Sequence, residues 1–226
     1  MKSTLPYNFY IATGWIINLL ALFVAIVAVR KRSMWQKEYL WLVLDFCFIA
    51  SIELVGLITL HLGINNFLLG YLYSPVNFSL LLLYLNPVTK GSKNFIVCTV
   101  MVLIFWISQI YLIFHRTEDS HINTIGVYAS SSILLVYALW KLNSLFRRKI
   151  ASTQLRLNPD FWFSATIFSM CFANLFVAVL TDITYISKSP KGFYIVNIPY
   201  NLMYALMLFG YYKGITLFRR GPLKFI

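Results

Sequence analysis

The chain has 226 residues, of which 60% are hydrophobic, 18% aromatic and 12% charged, and its formal net charge is +12. About a quarter of the residues of a soluble domain are charged. This composition, with a mean hydropathy of +0.74, therefore excludes a soluble globular protein. The positive charge does not indicate nucleic-acid binding, because the basic residues lie in short connectors between apolar runs, where they flank a membrane.

Seven apolar runs are long enough to cross the hydrocarbon core as helices, which takes about 20 residues each. They cover residues 9–29, 39–60, 67–86, 94–114, 122–143, 161–183 and 193–217. Turn-forming residues separate them, and neither an internal repeat nor a soluble domain is found. The sequence predicts an all-α membrane protein with a single domain, residues 1–226, folded as a seven-transmembrane helix bundle.

The distribution of Lys and Arg predicts the orientation of this bundle. Of the 19 basic residues, four lie at the N-terminus and in the even-numbered connectors, and fifteen lie in the odd-numbered connectors and the C-terminal tail. Cytoplasmic connectors are enriched in basic residues. We therefore expect the N-terminus outside and the C-terminus in the cytoplasm, in a multi-pass protein of the inner (cytoplasmic) membrane. The first apolar run is expected to stay in the mature protein. Its basic residues Arg30-Lys31-Arg32 follow the run, whereas those of a cleaved secretory signal precede it.

Two carboxyl groups fall well inside a predicted span, those of Asp45 and Glu53 in the second, and Asp182 lies near the outer end of the sixth. Ionisable groups inside a membrane usually face the interior of the bundle. No Lys or Arg lies deep in a span, so each acid must be protonated, hydrogen-bonded to neutral groups, or paired with a cation or basic ligand. Asp45 and Glu53 differ by about 80° around the helix and about 12 Å along it, so both can face inward.

Polar residues repeat at helical spacing in three other spans. They are Ser74, Asn77 and Tyr84 in the third, Ser164, Cys171, Asn174 and Thr181 in the sixth, and Tyr194, Asn197, Asn201, Tyr204 and Tyr211 in the seventh. One interpretation is a ligand pocket walled by the second, third, sixth and seventh helices; the other is polar contacts that only hold helices together. The candidate ligand-binding or coupling residues are Asp45, Glu53, Asn77, Asn174, Asp182, Asn197, Asn201 and Tyr204.

Other features give weaker indications. The histidines His61, His115 and His121 all lie at outer ends, where a metal site is conceivable but unligated histidines are commoner. The cysteines Cys47, Cys98 and Cys171 lie in apolar runs and are expected to pack as small apolar side chains. The basic residues Arg147, Arg148, Lys149 and Arg156 are candidates for contact with a cytoplasmic partner or anionic lipid, although topology alone would place positive charge there.

The motifs of several known classes are absent. The last span has Lys191 before it and Lys213 near its end, with no lysine midway that could hold retinal. The sequence has no Pro-Gln pair and no HExxH, GxSxG, P-loop or GxGxxG motif. No cofactor is predicted, and an enzyme is less expected than a binding protein.

Short motifs over most of the chain are similar to those of one family. They are Ile52-Glu53 with Gly56, Asn65-Asn66 before a tyrosine-rich third span, Asn158-Pro159-Asp160-Phe161-Trp162, and Asn201-Leu202-Met203-Tyr204-Ala205-Leu206 with Phe209-Gly210. In these motifs the chain resembles a family of small, functionally uncharacterised bacterial seven-transmembrane proteins. The resemblance implies a sensory module that works beside a separately encoded kinase. Family members often carry an acid where this chain has Asn77, which argues against a paired-carboxylate site.

Three hypotheses follow. The leading one is a non-enzymatic receptor-like or accessory module that senses a small molecule or the membrane and signals to a cytoplasmic protein or another membrane subunit. The second is a small proton- or cation-coupled transporter that uses Glu53 or Asp45 as the coupling group. The third is an intramembrane lipid-modifying enzyme that uses Glu53 or Asp182 with Tyr or His, and it is the weakest because no nucleophile–base pair can be placed by spacing.

Overall fold

The computed structural model describes residues 5–35, 39–64, 67–86, 93–115, 124–147, 152–186 and 190–218. All regular elements in these ranges are helical, which confirms the predicted all-α class. The long helices are α1 (Leu5–Arg30), α2 (Tyr39–His61), α3 (Phe67–Leu85), α4 (Lys93–Phe114), α5 (Thr124–Arg147), α6 (Pro159–Ile186) and α7 (Pro190–Thr216). A 3-10 turn (Arg32–Trp35) and a one-turn helix (Ser152–Leu155) lie in two of the connectors. Each long helix begins and ends within a few residues of a predicted apolar run.

Five helices in the described part of the chain are long and apolar enough to cross a membrane. Their apolar segments are Ile11–Arg30, Tyr39–Thr59, Ile96–Phe114, Ile125–Arg147 and Pro159–Leu180. α3 contributes a shorter apolar segment, Tyr71–Leu85. α7 is not among the five, and polar residues such as Asn201, Tyr211 and Lys213 interrupt its apolar sequence. The chain is thus a multi-pass helical membrane protein with at least five such helices.

Six of the long helices close into a ring in the order α1, α2, α3, α5, α6 and α7, with α7 packed against α1. α4 lies outside this ring and packs on α3. Only 17% of the apolar segment of α4 is buried, against 44% of that of α6. The order of packing therefore departs from the order of the chain at α4.

The ring has one end that is rich in basic residues, which we call the basic end. Lys31 donates from Nζ to the backbone carbonyl of Phe218 at 3.2 Å, which joins the connector after α1 to the residues after α7. Tyr39 at the start of α2 lies against the ring of Phe218, with centroids 4.8 Å apart. The end of α3 and the start of α6 meet there too, through Tyr84 and Asp160. We call the opposite end, where α2 finishes and α3 begins, the distal end.

Aromatic side chains fill the interior of the ring near the basic end. The ring of Phe163 is fully buried at their centre. Its centroid lies 6.0–6.4 Å from those of Tyr39, Phe46, Tyr84, Tyr211 and Phe218. We call these six residues the aromatic cluster. Its members come from α2, α3, α6 and α7, and Phe218 follows α7. The cluster therefore connects four of the six ring helices at this end.

Two glycines allow α7 to approach α6 closely. Gly210 and Gly214 are four residues apart on one face of α7, the spacing that favours close helix packing in membranes. A Cβ atom at Gly214 would lie 2.6 Å from the ring of Phe163, and one at Gly210 would overlap the hydroxyl of Thr166. The aromatic cluster thus needs glycine at position 214.

Candidate functional site

Asp45 of α2 lies fully buried inside the ring, on the side of the aromatic cluster away from the basic end. Its Oδ1 accepts a hydrogen bond of 2.9 Å from the side-chain amide of Asn77 on α3. Its Oδ2 and the buried hydroxyl of Tyr211 on α7 have no hydrogen-bond partner among the described residues. The two groups are within electrostatic range of each other. Asp45 therefore has one hydrogen-bonded oxygen and one without a partner among the described residues, with the unpartnered Tyr211 hydroxyl in electrostatic range.

Glu53 lies two turns further along α2, about 12 Å toward the distal end. Three tyrosine hydroxyls, those of Tyr73, Tyr200 and Tyr204, are within electrostatic range of its carboxyl group. Tyr200 in turn donates from its hydroxyl to Oδ1 of Asn174 on α6 at 2.9 Å. Glu53 thus faces a group of neutral hydroxyls contributed by α3 and α7.

The antiparallel course of α2 and α7 explains these pairings. α2 runs from the basic end to the distal end and α7 runs back, so Asp45 faces Tyr211 and Glu53 faces Tyr200 and Tyr204. Tyr73 of α3 is within electrostatic range of both acids. The four tyrosines Tyr73, Tyr200, Tyr204 and Tyr211 form a continuous row along the interior of the ring, which we call the tyrosine column.

The chemistry of this arrangement follows from the missing positive charge. The described residues contain no Lys or Arg paired with Asp45 or Glu53. The ion pair that the described residues do form joins Lys141 and Asp160. A carboxylate in apolar surroundings is very costly unless it is protonated or paired with a cation. Each acid can therefore hold a proton or a positively charged ligand, and the tyrosine hydroxyls can accept from or donate to what is bound.

Several residues predicted from the sequence meet in this site. Asn77, Asn174 and Tyr204 lie around the two acids, and buried Ser164 and Cys171 line the same face of α6. Asn201 lies elsewhere, because its amide donates at 2.9 Å to the hydroxyl of Thr13 on α1. It holds α1 to α7, which is the polar-contact interpretation for that residue.

Other predicted residues lie outside the site or outside the described side chains. His115 is exposed at the end of α4, where its ring stacks on Tyr111 with centroids 4.0 Å apart. Arg147 and Arg156 are exposed near the basic end. The side chains of His61, His121, Arg148, Lys149, Asp182 and Asn197 are outside the described residues. Among those that are described, no group of three His, Cys, Asp or Glu could hold a metal ion.

A second polar cluster at the basic end was missed by the sequence analysis. Lys141 of α5 is buried, and its Nζ lies 3.6 Å from Oδ1 of Asp160 on α6. The same Nζ donates to the backbone carbonyl of Tyr84 at 3.2 Å and sits 3.6 Å from the centre of the Tyr84 ring. The Tyr84 hydroxyl donates to Oδ1 of Asp160 at 2.9 Å. Lys141, Asp160 and Tyr84, which we call the basic-end triad, therefore join α3, α5 and α6.

The sequence contains signals for the basic-end triad and for Tyr73 and Tyr200 beside Glu53, which the candidate residues did not include. Lys141 falls inside the predicted run 122–143, two residues from its end. Asp160 lies in the first turn of α6, where Asn158 caps the helix by accepting from the Asp160 backbone N–H at 2.9 Å, and proline follows the cap. Tyr200 and Tyr73 could have been found from their spacing to Tyr204 and Asn77, each four residues away on the same helix.

Comparisons of the chain with protein-family models, curated proteins and solved structures found no match.

Proposed function

We propose that the chain is a receptor-like or accessory module of the inner membrane, with seven spans, an outside N-terminus and a cytoplasmic C-terminus. Counting α3 and α7 as spans accounts for every long helix. The positive-inside rule assigns the basic end, with Arg30, Lys31, Lys141 and Arg147, to the cytoplasm. The Glu53 site then belongs to the outer half of the membrane.

The observation that carries the proposal is the surroundings of Glu53. Its carboxyl group faces three tyrosines and no described basic side chain. Tyrosine rings attract cations through their π faces, and the carboxylate supplies the opposite charge. The ligand class that fits these groups is a small organic amine in its protonated form.

The route from this site to the cytoplasm is α7. Tyr200 and Tyr204 are within electrostatic range of Glu53, and two turns beyond Tyr204 the ring of Tyr211 packs on Phe163 in the aromatic cluster. A ligand that moves the tyrosine column would therefore displace the aromatic cluster, which includes Tyr84 of the basic-end triad. A cytoplasmic signalling protein or another membrane subunit is the expected recipient.

The binding step can be tested with the purified protein in nanodiscs. We expect ethylamine, tetramethylammonium or putrescine to raise the unfolding temperature of the wild type. Glu53→Gln should abolish the increase, and Asp45→Asn, which neutralises an acid on the same helix two turns away, should retain it. If no amine stabilises the wild type, or if Glu53→Gln responds like the wild type, the proposal is wrong.

The signalling step needs a separate experiment. Affinity purification from native membranes should recover a cytoplasmic protein or a membrane subunit in stoichiometric amount. Recovery should fall when Lys141→Met disrupts the basic-end triad, and it should be unchanged by Ile107→Ala on the exposed face of α4. Repeated purification of the chain alone would contradict the accessory role and leave amine binding unaffected.

A proton- or cation-coupled transporter is the second candidate, and one observation favours it. Asp45 Oδ2 and the Tyr211 hydroxyl are both buried and have no partner among the described residues. The two groups could take up and release a proton or a small cation. Proteoliposomes with a pH-sensitive dye inside should then show proton movement that Asp45→Asn abolishes; movement that is unchanged in this variant would exclude Asp45 as the coupling group.

A further inference from the structure

The position of α4 outside the ring leaves a cleft between α4 and α5. Its volume is about 290 Å³, and Asn86, Val97, Val136, Tyr137 and Trp140 line it. Because α4 packs on α3, the side of the cleft away from α3 opens toward the bilayer. A cavity of this size is at the low end of the range for ligand pockets, which suits a single acyl chain better than a bulky ligand.

The cleft lies near the basic end. Asn86 directly follows α3, Val97 lies in the second turn of α4, and Trp140 lies two turns before the end of α5 at Arg147. Those seven residues of helix correspond to about 10 Å. A lipid in the leaflet at this end would reach the cleft with its ester region, while its headgroup reached Arg147.

The polar groups in the cleft have weak partners. Asn86 is buried, and its amide donates to the sulfur of Cys98 at 2.8 Å. The Tyr137 hydroxyl donates to the sulfur of Met101 at 3.8 Å. Thiol and thioether sulfurs are poor acceptors. Both donors would gain from an ester carbonyl oxygen, and the valines on either side would contact the acyl chain.

Charge determines which lipid fits. Arg147 is exposed at the end of α5, and Arg148 and Lys149 follow it in the chain. In the sequence, Lys93 is the first residue of α4 and Lys90 precedes it by three positions. Basic residues close to a membrane surface each attract anionic lipid by about 1 kcal/mol. We propose that the cleft between α4 and α5 binds one anionic phospholipid of the leaflet at the basic end, with an acyl chain between Val97 and Val136 and its headgroup at Arg147.

Native mass spectrometry of the full chain in mild detergent tests this proposal. The probes are phosphatidylglycerol and phosphatidylcholine with identical acyl chains, added in equal amounts. We expect the wild type to retain one phosphatidylglycerol at least tenfold better than phosphatidylcholine. Arg147→Gln should reduce this preference about fivefold, which corresponds to the attraction of one basic residue. Val136→Trp should fill the cleft and remove retention of both lipids.

A matched substitution shows whether any added tryptophan has the same effect. Ile107→Trp lies on the exposed face of α4 and should leave lipid retention at the wild-type level. Equal retention of the two lipids by the wild type, or unchanged retention in Val136→Trp, would overturn the proposal. A dimer that Val136→Trp converts to a monomer would also overturn it, because a second copy of the chain would then occupy the cleft.

Discussion

Asp45 and Asp160 are both carboxyl groups inside the ring, and their surroundings differ. Asp160 has a lysine 3.6 Å away and a tyrosine hydroxyl at 2.9 Å, so its charge is balanced by neighbouring residues. Asp45 is more deeply buried and has one amide donor. Phe163 lies between them, in contact with Tyr84 on one side and Tyr211 on the other.

The difference separates an acid that holds helices together from acids that need a further partner. The basic-end triad is electrically complete and links three helices, which is what a structural ion pair does. Asp45 and Glu53 meet only neutral groups among the described residues, so the missing positive charge must come from a proton, a cation or a ligand. The first kind of site should respond to substitution through stability, and the second kind mainly through binding.

The largest expected effect is on the basic-end triad. Lys141→Met keeps most of the side-chain volume but leaves Asp160 without its cation. Removal of one partner from a buried ion pair typically costs several kcal/mol, and we expect a loss of about 3 kcal/mol in the free energy of unfolding in mild detergent. The double variant Lys141→Met/Asp160→Asn should recover part of this loss. A change below about 1 kcal/mol in the single variant would mean that the pair is not structural.

The next effect concerns the pair of Asp45 and Asn77. Asn77→Leu leaves Asp45 Oδ1 without its donor, and an unsatisfied buried polar atom costs about 1 to 3 kcal/mol. Asp45→Asn keeps a group of the same shape that can still accept from Asn77, so it should cost less than about 1 kcal/mol. Thermal unfolding of both variants checks this order. The reverse order would show that Asp45 is ionised and paired with a positive charge from outside the described residues.

A smaller loss of stability is expected from a substitution beside Phe163, which lies between Asp160 and Asp45. Gly214→Ala places a methyl group against Phe163, which is enclosed by the aromatic cluster and has little freedom to move. We expect a loss of about 1 to 2 kcal/mol, the ordinary cost of overpacking. Gly14→Ala is the matched control, because a Cβ atom at Gly14 of α1 would have no other heavy atom within 4 Å. Similar losses in the two variants, measured by thermal unfolding, would contradict the special role of Phe163.

Much of this fold could be predicted from the sequence. Long apolar runs determine where helices form in a membrane, since each backbone polar group must be bonded within its own helix. Helical spacing likewise placed Asn77, Asn174 and Tyr204 on inward faces, and the structure brings them to the two acids.

Two features could not be predicted in this way. The row of polar residues on α7 includes Asn201, which is turned about 60° from Tyr204, enough to face α1 instead of α2. Spacing along one helix does not say which neighbour each face will meet. The displacement of α4 is the second feature, because the packing order of helices depends on side-chain shape across several interfaces. Its apolar segment is the most hydropathic of the five, which is typical of a helix that faces lipid.

The smallest change in the free energy of unfolding is expected on the lipid-facing side of α4. It gives a reference value for the changes expected at Asp160 and Asp45. Ile107 is 65% exposed on α4, whereas Phe105 of the same helix is buried against Phe78, with ring centroids 4.6 Å apart. Lipid tails are as apolar as these side chains, so no hydrophobic free energy is lost when a lipid-facing residue is shortened. Ile107→Ala should therefore change the free energy of unfolding by less than about 0.5 kcal/mol, while Phe105→Ala leaves a cavity and should cost clearly more. A loss in Ile107→Ala as large as that in Phe105→Ala would mean that another protein surface covers α4, and the exposed face would then have to be assigned to an interface.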